Sequence, residues 1–122
     1  MNTALPTVLM IGLLLLHGCD TAEPTLFDRI EPAQSGIDFA NTVVSSDTFN
    51  ILNTEYFYNG GGVGVGDFNQ DGLPDIVFTG NQVDNRLYLN QGNFGFRDVT
   101  QVAGLRKPNP AYWSSGVNVL DI

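Results

Sequence analysis

The stretch that decides the fold reads Asp-Phe-Asn-Gln-Asp-Gly-Leu-Pro-Asp over residues 67–75. Oxygen-bearing side chains recur there at alternate positions, and Gly72 stands where the chain must turn sharply. Calcium takes six to eight oxygen ligands at about 2.3–2.6 Å, which a tight loop with alternate residues turned inward can supply. The spacing predicts a calcium-binding loop whose ligands are the side chains of Asp67, Asn69, Asp71 and Asp75 and the main-chain carbonyl of Leu73.

A turn rich in Asp, Asn and Gly that binds no metal is the alternative interpretation of this loop. An EF-hand begins with a similar pattern, but it requires Glu at its twelfth position and helices on both sides. Here the twelfth position is Phe78, and the flanking segments favour strands. Because closely spaced carboxylates repel one another, a cation is the simplest partner for this loop.

Short β-favouring runs separated by Gly, Asn, Asp and Pro surround the loop, and no long segment has helical apolar periodicity. Turn residues lie between consecutive runs, as in an antiparallel meander. The predicted fold is all-β, with four-stranded antiparallel blades of a β-propeller. The predicted strands are Gly62–Gly66, Asp75–Thr79, Arg86–Asn90 and Phe96–Val99.

The chain also repeats itself. With Asp67 aligned on Asp121, an offset of 54 residues, five of the eleven positions 58–68 are identical. A weaker echo places Phe27, Ile30 and Gly36 opposite Phe96, Val99 and Gly104, one residue out of register. Repeats of about 40–50 residues with four strands each are typical of propellers, whose single repeats cannot bury their own faces. We therefore expect the chain to be part of a longer protein.

The pattern Gly-Val-Gly-Val-Gly-Asp-Phe-Asn-Gln-Asp-Gly-Leu-Pro-Asp, within residues 61–105, resembles the FG-GAP and VCBS repeats. Together with residues 36–42, 55–76 and 86–105, it is similar to the N-terminal propeller of the cartilage acidic protein family. This resemblance implies a calcium-loop propeller blade that packs against neighbouring blades of the same chain. It also implies that an ASPIC/UnbV domain often follows the propeller in such proteins.

The N-terminus has the pattern of a secretion signal. Residues 8–16 form an apolar run that is shorter than the ~20 residues a spanning helix needs. The run precedes Leu-His-Gly-Cys at residues 16–19, which resembles a bacterial lipobox with Cys19 as the acylated residue. His17 departs from that pattern, so an ordinary cleaved signal remains the alternative. We expect a lipid-anchored protein of the outer membrane or cell surface, or otherwise a secreted or periplasmic one.

Composition limits the function. The net charge is −8, from 13 acidic and 5 basic residues, so the positive surface that nucleic acids require is absent. Cys19 is the only cysteine, which excludes an internal disulfide, and the only histidine is His17. No catalytic constellation is apparent, so we expect a non-enzymatic scaffold that binds an unidentified protein or glycan. The alternative is the non-catalytic propeller of a secreted polysaccharide-degrading enzyme whose active site lies elsewhere.

Two other features leave their roles open. The aromatic residues 56–58, 112 and 113 can form either a sugar-stacking platform or packing between neighbouring blades; the recurrence of Tyr58 at Tyr112 favours packing. Residues 41–58 form a long connection, which is the candidate segment for partner contact. The predicted organisation begins with a signal peptide at 1–18, a tether at 19–25 and an N-terminal propeller segment at 26–61, whose one outer strand is at 27–30. The calcium-loop blade at 62–105 follows, and then the start of the next blade at 106–122, with its opening strand at 116–122.

Overall fold

A computed structural model describes residues 25–109 and 112–120. One short helix, α1 (Pro32–Ser35), precedes four strands, β1 (Val63–Gly66), β2 (Asp75–Phe78), β3 (Arg86–Asn90) and β4 (Phe96–Asp98). The strands form one antiparallel sheet in the order β1-β2-β3-β4. The predicted all-β fold with a four-stranded antiparallel meander is thereby confirmed, and each strand lies within one residue of its predicted bounds.

The sheet has two different faces. On the face that we call the glycine face, Gly64, Val77 and Leu87 lie opposite one another across β1, β2 and β3. A Cβ atom on Gly64 would lie 2.9 Å from side-chain atoms of both Val77 and Val119. The segment 112–120 can therefore lie close against β1 because that strand has no side chain on this face.

The opposite face, which we call the aromatic face, is covered by the N-terminal segment. Phe39 stacks on Phe78 with ring centroids 4.9 Å apart. The Tyr88 hydroxyl, on a side chain that is fully buried, donates a 2.8 Å hydrogen bond to the Asp38 carboxylate. Burial and the bond to Asp38 together raise the pKa of Tyr88 to about 12, so the hydroxyl keeps its proton at neutral pH.

Asn81 joins the N-terminal segment and the segment 112–120 to the sheet. Its side chain is fully buried, accepts a bond from the Asn41 amide at 2.6 Å and donates to the Ser114 carbonyl at 3.0 Å. The Asn81 N–H donates in turn to Asn41 Oδ1 at 2.8 Å. A buried amide whose bonding capacity is used in this way holds three chain segments in one arrangement.

Two predicted strands are not formed. Residues 27–30 contain no strand, since no described segment pairs with them, and Phe27 is 82% exposed. The described part of the predicted strand at 116–122 has no ladder either, because Val117 and Val119 meet β1 through side-chain packing. The weaker sequence echo nevertheless has a structural counterpart, since Gly36 and Gly104 both adopt left-handed backbone angles, with φ of 74° and 69°.

The predictions for the signal peptide, for acylated Cys19 and for all of the tether except Thr25 fall on residues 1–24, outside the described residues, and the repeated Asp121 is not described either. Within the described ranges, no helix is long and apolar enough to cross a membrane.

Candidate metal centre

The acidic loop, residues 67–74, connects β1 to β2 at the point where Gly66 pairs with Asp75. Two of its residues have left-handed backbone angles, Gln70 with φ of 62° and Gly72 with φ of 84°. The expected sharp turn at Gly72 is thus present. Glycine adopts this conformation without strain, whereas a side chain there crowds the backbone.

Three of the predicted ligands lie together in one hydrogen-bonded group. The Asp67 carboxylate accepts the N–H groups of Asp71 at 3.1 Å and Gly72 at 2.8 Å. Asn69 Oδ1 also accepts from the Asp71 N–H, at 3.1 Å, and the Asn69 amide donates to Asp71 Oδ2 at 2.8 Å. These side chains are exposed. The loop backbone therefore brings Asp67, Asn69 and Asp71 together without help from the rest of the protein.

Leu73, the predicted main-chain ligand, belongs to the same group. Its N–H donates to Asp71 Oδ1 at 2.8 Å, so the backbone turns around the Asp71 carboxylate.

Asp75 has different surroundings from the other predicted ligands. Its side chain is fully buried at the start of β2. One carboxylate oxygen accepts the Phe68 N–H and the other accepts the Asn90 N–H, each at 2.8 Å. Asp75 therefore closes the base of the acidic loop and ties it to the end of β3.

Sequence reasoning missed Asn90. Besides its N–H bond to Asp75, its side-chain amide donates to the Pro74 carbonyl at 2.9 Å. Asn90 lies at the end of a predicted strand, but only the pairing of β2 with β3 brings it beside the loop. The spacing within residues 67–75 holds no signal for a partner so distant in sequence.

The chemistry of this donor set suits a hard cation. The described residues contain no group of three or more His, Cys, Asp or Glu side chains arranged to hold a metal ion. The group formed by the loop instead combines the carboxylates of Asp67 and Asp71 with the amide oxygen of Asn69, and calcium accepts such mixed oxygen ligands. Each carboxylate keeps lone pairs beyond those used by the N–H bonds. The residues present therefore fit calcium.

A comparison with protein families identifies the segment that contains this loop. Residues 67–122 match the FG-GAP-like repeat. The matched segment begins at the first residue of the acidic loop and includes β2, β3 and β4. No curated protein and no solved structure matches the chain. The resemblance to FG-GAP repeats inferred from the sequence is confirmed at this level.

Proposed function

We propose that this chain provides a calcium-binding β-propeller repeat in a secreted or envelope-anchored bacterial protein that binds a protein or glycan and is not an enzyme. The observation that carries the proposal is the acidic loop, in which Asp67, Asn69 and Asp71 lie together within an FG-GAP-like repeat. This arrangement provides oxygen ligands at the end of β1, an edge strand of the sheet, where a bound ion would stabilise the connection to β2.

The ion's role in this proposal is structural. Asp67, Asn69 and Asp71 would hold calcium together with the Leu73 carbonyl, and Asp75 would contribute only the lone pairs that its two N–H bonds leave free. Calcium would neutralise the repulsion between carboxylates in the loop. It would also hold the connection between β1 and β2 in the conformation that the sheet requires.

Calcium is expected to stabilise the full chain against unfolding. Extracellular sites of this kind bind calcium at about 0.1–1 mM, so ~10 mM calcium should add about 1.4–2.7 kcal/mol to the free energy of unfolding. Thermal or urea denaturation in calcium, compared with chelator, measures this difference. The variant Asp71→Asn should lose most of it, because one carboxylate ligand becomes an amide.

The matched control is Asp47→Asn, which removes one exposed carboxylate outside the loop. It should keep the full calcium response. The calcium proposal fails if the wild-type chain unfolds identically with and without the ion, or if Asp71→Asn responds as strongly as Asp47→Asn does.

The cellular location rests on the N-terminal sequence. The apolar run at residues 8–16 followed by Cys19 supports secretion and acylation. We expect a fatty-acid probe fed to cells that express the chain to label the wild-type protein and not Cys19→Ala. Equal labelling of the two proteins would refute acylation at this cysteine.

A binding role is supported by the long connection before β1. Its side chains at Ile51, Leu52 and Tyr56 are exposed although they are large and apolar. Ile51 and Leu52 are adjacent in the chain, and contiguous exposed apolar groups mark sites of interaction.

A further inference from the structure

A pocket lined by aromatic and polar side chains lies beside the segment that leads into β1. It has a volume of about 330 Å³ and is lined by Tyr56 and Asn59 from that segment and by Trp113 and Ser115 from the segment 112–120. This volume lies near the lower end of the range for small-molecule sites, about 300–1,000 Å³. The aromatic pocket, as we call it, is formed by residues that precede β1 and residues that follow β4, whereas the acidic loop joins β1 to β2.

The indole of Trp113 is held by aromatic contacts on the protein side. The Phe49 ring meets it at an angle of 73°, with ring centroids 5.4 Å apart. Phe57, which is fully buried, lies 6.0 Å from Trp113 and 5.1 Å from Phe49. The two contacts of Phe49 are edge-to-face, whereas Phe57 is tilted by 39° against Trp113. Aromatic pairs of this kind stabilise ring orientation beyond the effect of burial alone. Phe57 and Phe49 therefore form the support on which Trp113 rests.

The backbone on both sides of Trp113 is also anchored. Before it, the Lys107 ammonium donates a 2.7 Å hydrogen bond to the Tyr112 carbonyl. After it, the Ser114 carbonyl accepts the Asn81 amide at 3.0 Å, and the Ser114 N–H donates to the Gly80 carbonyl at 3.3 Å. Preorganisation of this kind lowers the entropy cost of ligand binding.

The repeat does not account for the residues that line the pocket. At the offset of 54 residues, Tyr58 recurs as Tyr112, so these tyrosines belong to the repeated pattern. Tyr56 falls opposite Pro110, and Trp113 falls opposite Asn59. The two aromatic residues of the pocket are thus specific to this part of the chain.

The pocket also contains two polar side chains. Neither the Asn59 amide nor the Ser115 hydroxyl makes a side-chain hydrogen bond to another described residue. An amide offers both donors and an acceptor, and a hydroxyl offers one donor and two lone pairs. These are the groups that match the hydroxyls of a sugar.

We infer that the aromatic pocket binds one neutral pyranose ring of a glycan, an inference that rests on the proposed binding role and specifies its ligand. The C–H face of a pyranose is apolar and packs on the negative face of an aromatic ring, which Tyr56 and Trp113 supply. Asn59 and Ser115 bond to the ring hydroxyls. None of the four lining residues is charged, and the chain has a net charge of −8, so a neutral sugar is favoured over a uronic acid.

Trp113 is the only tryptophan of the chain, so its fluorescence reports directly on the pocket. The full chain is titrated with cellotetraose, xylotetraose, mannotetraose and chitotetraose, and also with tetragalacturonate and decaproline. We expect a saturable fluorescence change with at least one of the four neutral sugars. The variant Tyr56→Ala should weaken that binding at least tenfold, because one stacking face is lost.

The matched control is Phe94→Ala, because Phe94 and Tyr56 are each 66% exposed but Phe94 lies in the turn between β3 and β4. It should bind the sugar with unchanged affinity. Calorimetry extends the comparison to Trp113→Ala, which lacks the fluorescent reporter and should not bind. Since Tyr56 is mostly exposed, its variant remains informative even if Trp113→Ala does not fold.

Three results would overturn the inference: no saturable response to any neutral sugar, tighter binding of tetragalacturonate or decaproline, or the same affinity in Tyr56→Ala as in Phe94→Ala.

Calcium-dependent unfolding of the same samples separates the sugar-binding proposal from the calcium proposal. A calcium response without sugar binding rejects the pocket and leaves the metal site. Sugar binding without a calcium response rejects the metal site and leaves the pocket.

Discussion

Replacing Gly61 with alanine is expected to destabilise the sheet by about 3 kcal/mol or more, which is at or beyond the upper end of the usual cost of overpacking. A Cβ atom on Gly61 would overlap the Thr79 carbonyl oxygen and lie 2.9 Å from its carbon. Both are backbone atoms, so no side-chain rotation can relieve the overlap. The chain must instead move away from β2.

That movement would break the bonds that extend the pairing of β1 and β2. The Thr79 N–H donates to the Gly62 carbonyl at 2.9 Å, and the Gly62 N–H donates to the Thr79 hydroxyl at 2.7 Å. Thr79 is buried, so water cannot easily replace these partners. The destabilisation should therefore include lost hydrogen bonds as well as the steric overlap.

Urea denaturation followed by circular dichroism measures the effect, and the adjacent glycine provides a matched control. A Cβ atom on Gly60 would have nothing within 4 Å. Gly60→Ala should therefore change the free energy of unfolding by no more than about 0.5 kcal/mol, as is usual for surface substitutions. If both alanine variants unfold at the same urea concentration, the close approach of Gly61 to Thr79 is wrong.

The second large effect is expected for Asp75→Ala, which should lower the free energy of unfolding by about 3–5 kcal/mol. The substitution removes both acceptors from the N–H groups of Phe68 and Asn90. Hydrogen bonds to charged groups are worth about 1.5–3 kcal/mol each, and a buried donor left without a partner adds a desolvation cost. Asp75→Asn should be milder, because the amide oxygen can still accept one of the two bonds.

Unfolding in chelator and in calcium separates the role of Asp75 in closing the loop from any role in metal binding. In chelator, Asp75→Ala should already be strongly destabilised, whereas Asp71→Ala should lose only the few bonds within the exposed loop. In calcium, Asp71→Ala should lose the ion's contribution as well. If Asp75→Ala were as stable as the wild-type chain in chelator, the role of Asp75 in closing the loop would be refuted.

Local sequence signals predicted most of the sheet. The alternation of β-favouring runs with Gly, Asn and Asp placed all four strands, and β3 coincides with its predicted bounds. The strand predicted at residues 27–30 is not formed. It was predicted from the echo with residues 96–99, but a strand requires a hydrogen-bonded neighbour, which no described segment supplies.

The candidate site, too, could be predicted from the sequence only where its contacts are local. Asp67, Asn69 and Asp71 come together through bonds to main-chain N–H groups within five residues, so their spacing was sufficient to predict the group. Asp75 looks identical in the pattern, but it is buried against Asn90, 15 residues away. Its partners follow from the pairing of β2 with β3, which the loop pattern does not encode.

By itself, the sequence determined the acidic loop and the antiparallel strands, because each depends on contacts between residues close in the chain. It also determined the repeat, because residue identities at a fixed offset are visible without any structure. Only the tertiary structure decided which residues line the aromatic pocket, since Tyr56 and Trp113 meet across more than fifty residues of sequence. It also decided that the glycines of β1 make space for Val119. Such contacts depend on shape and distance in three dimensions, and the spacing of residue types along the chain does not specify either.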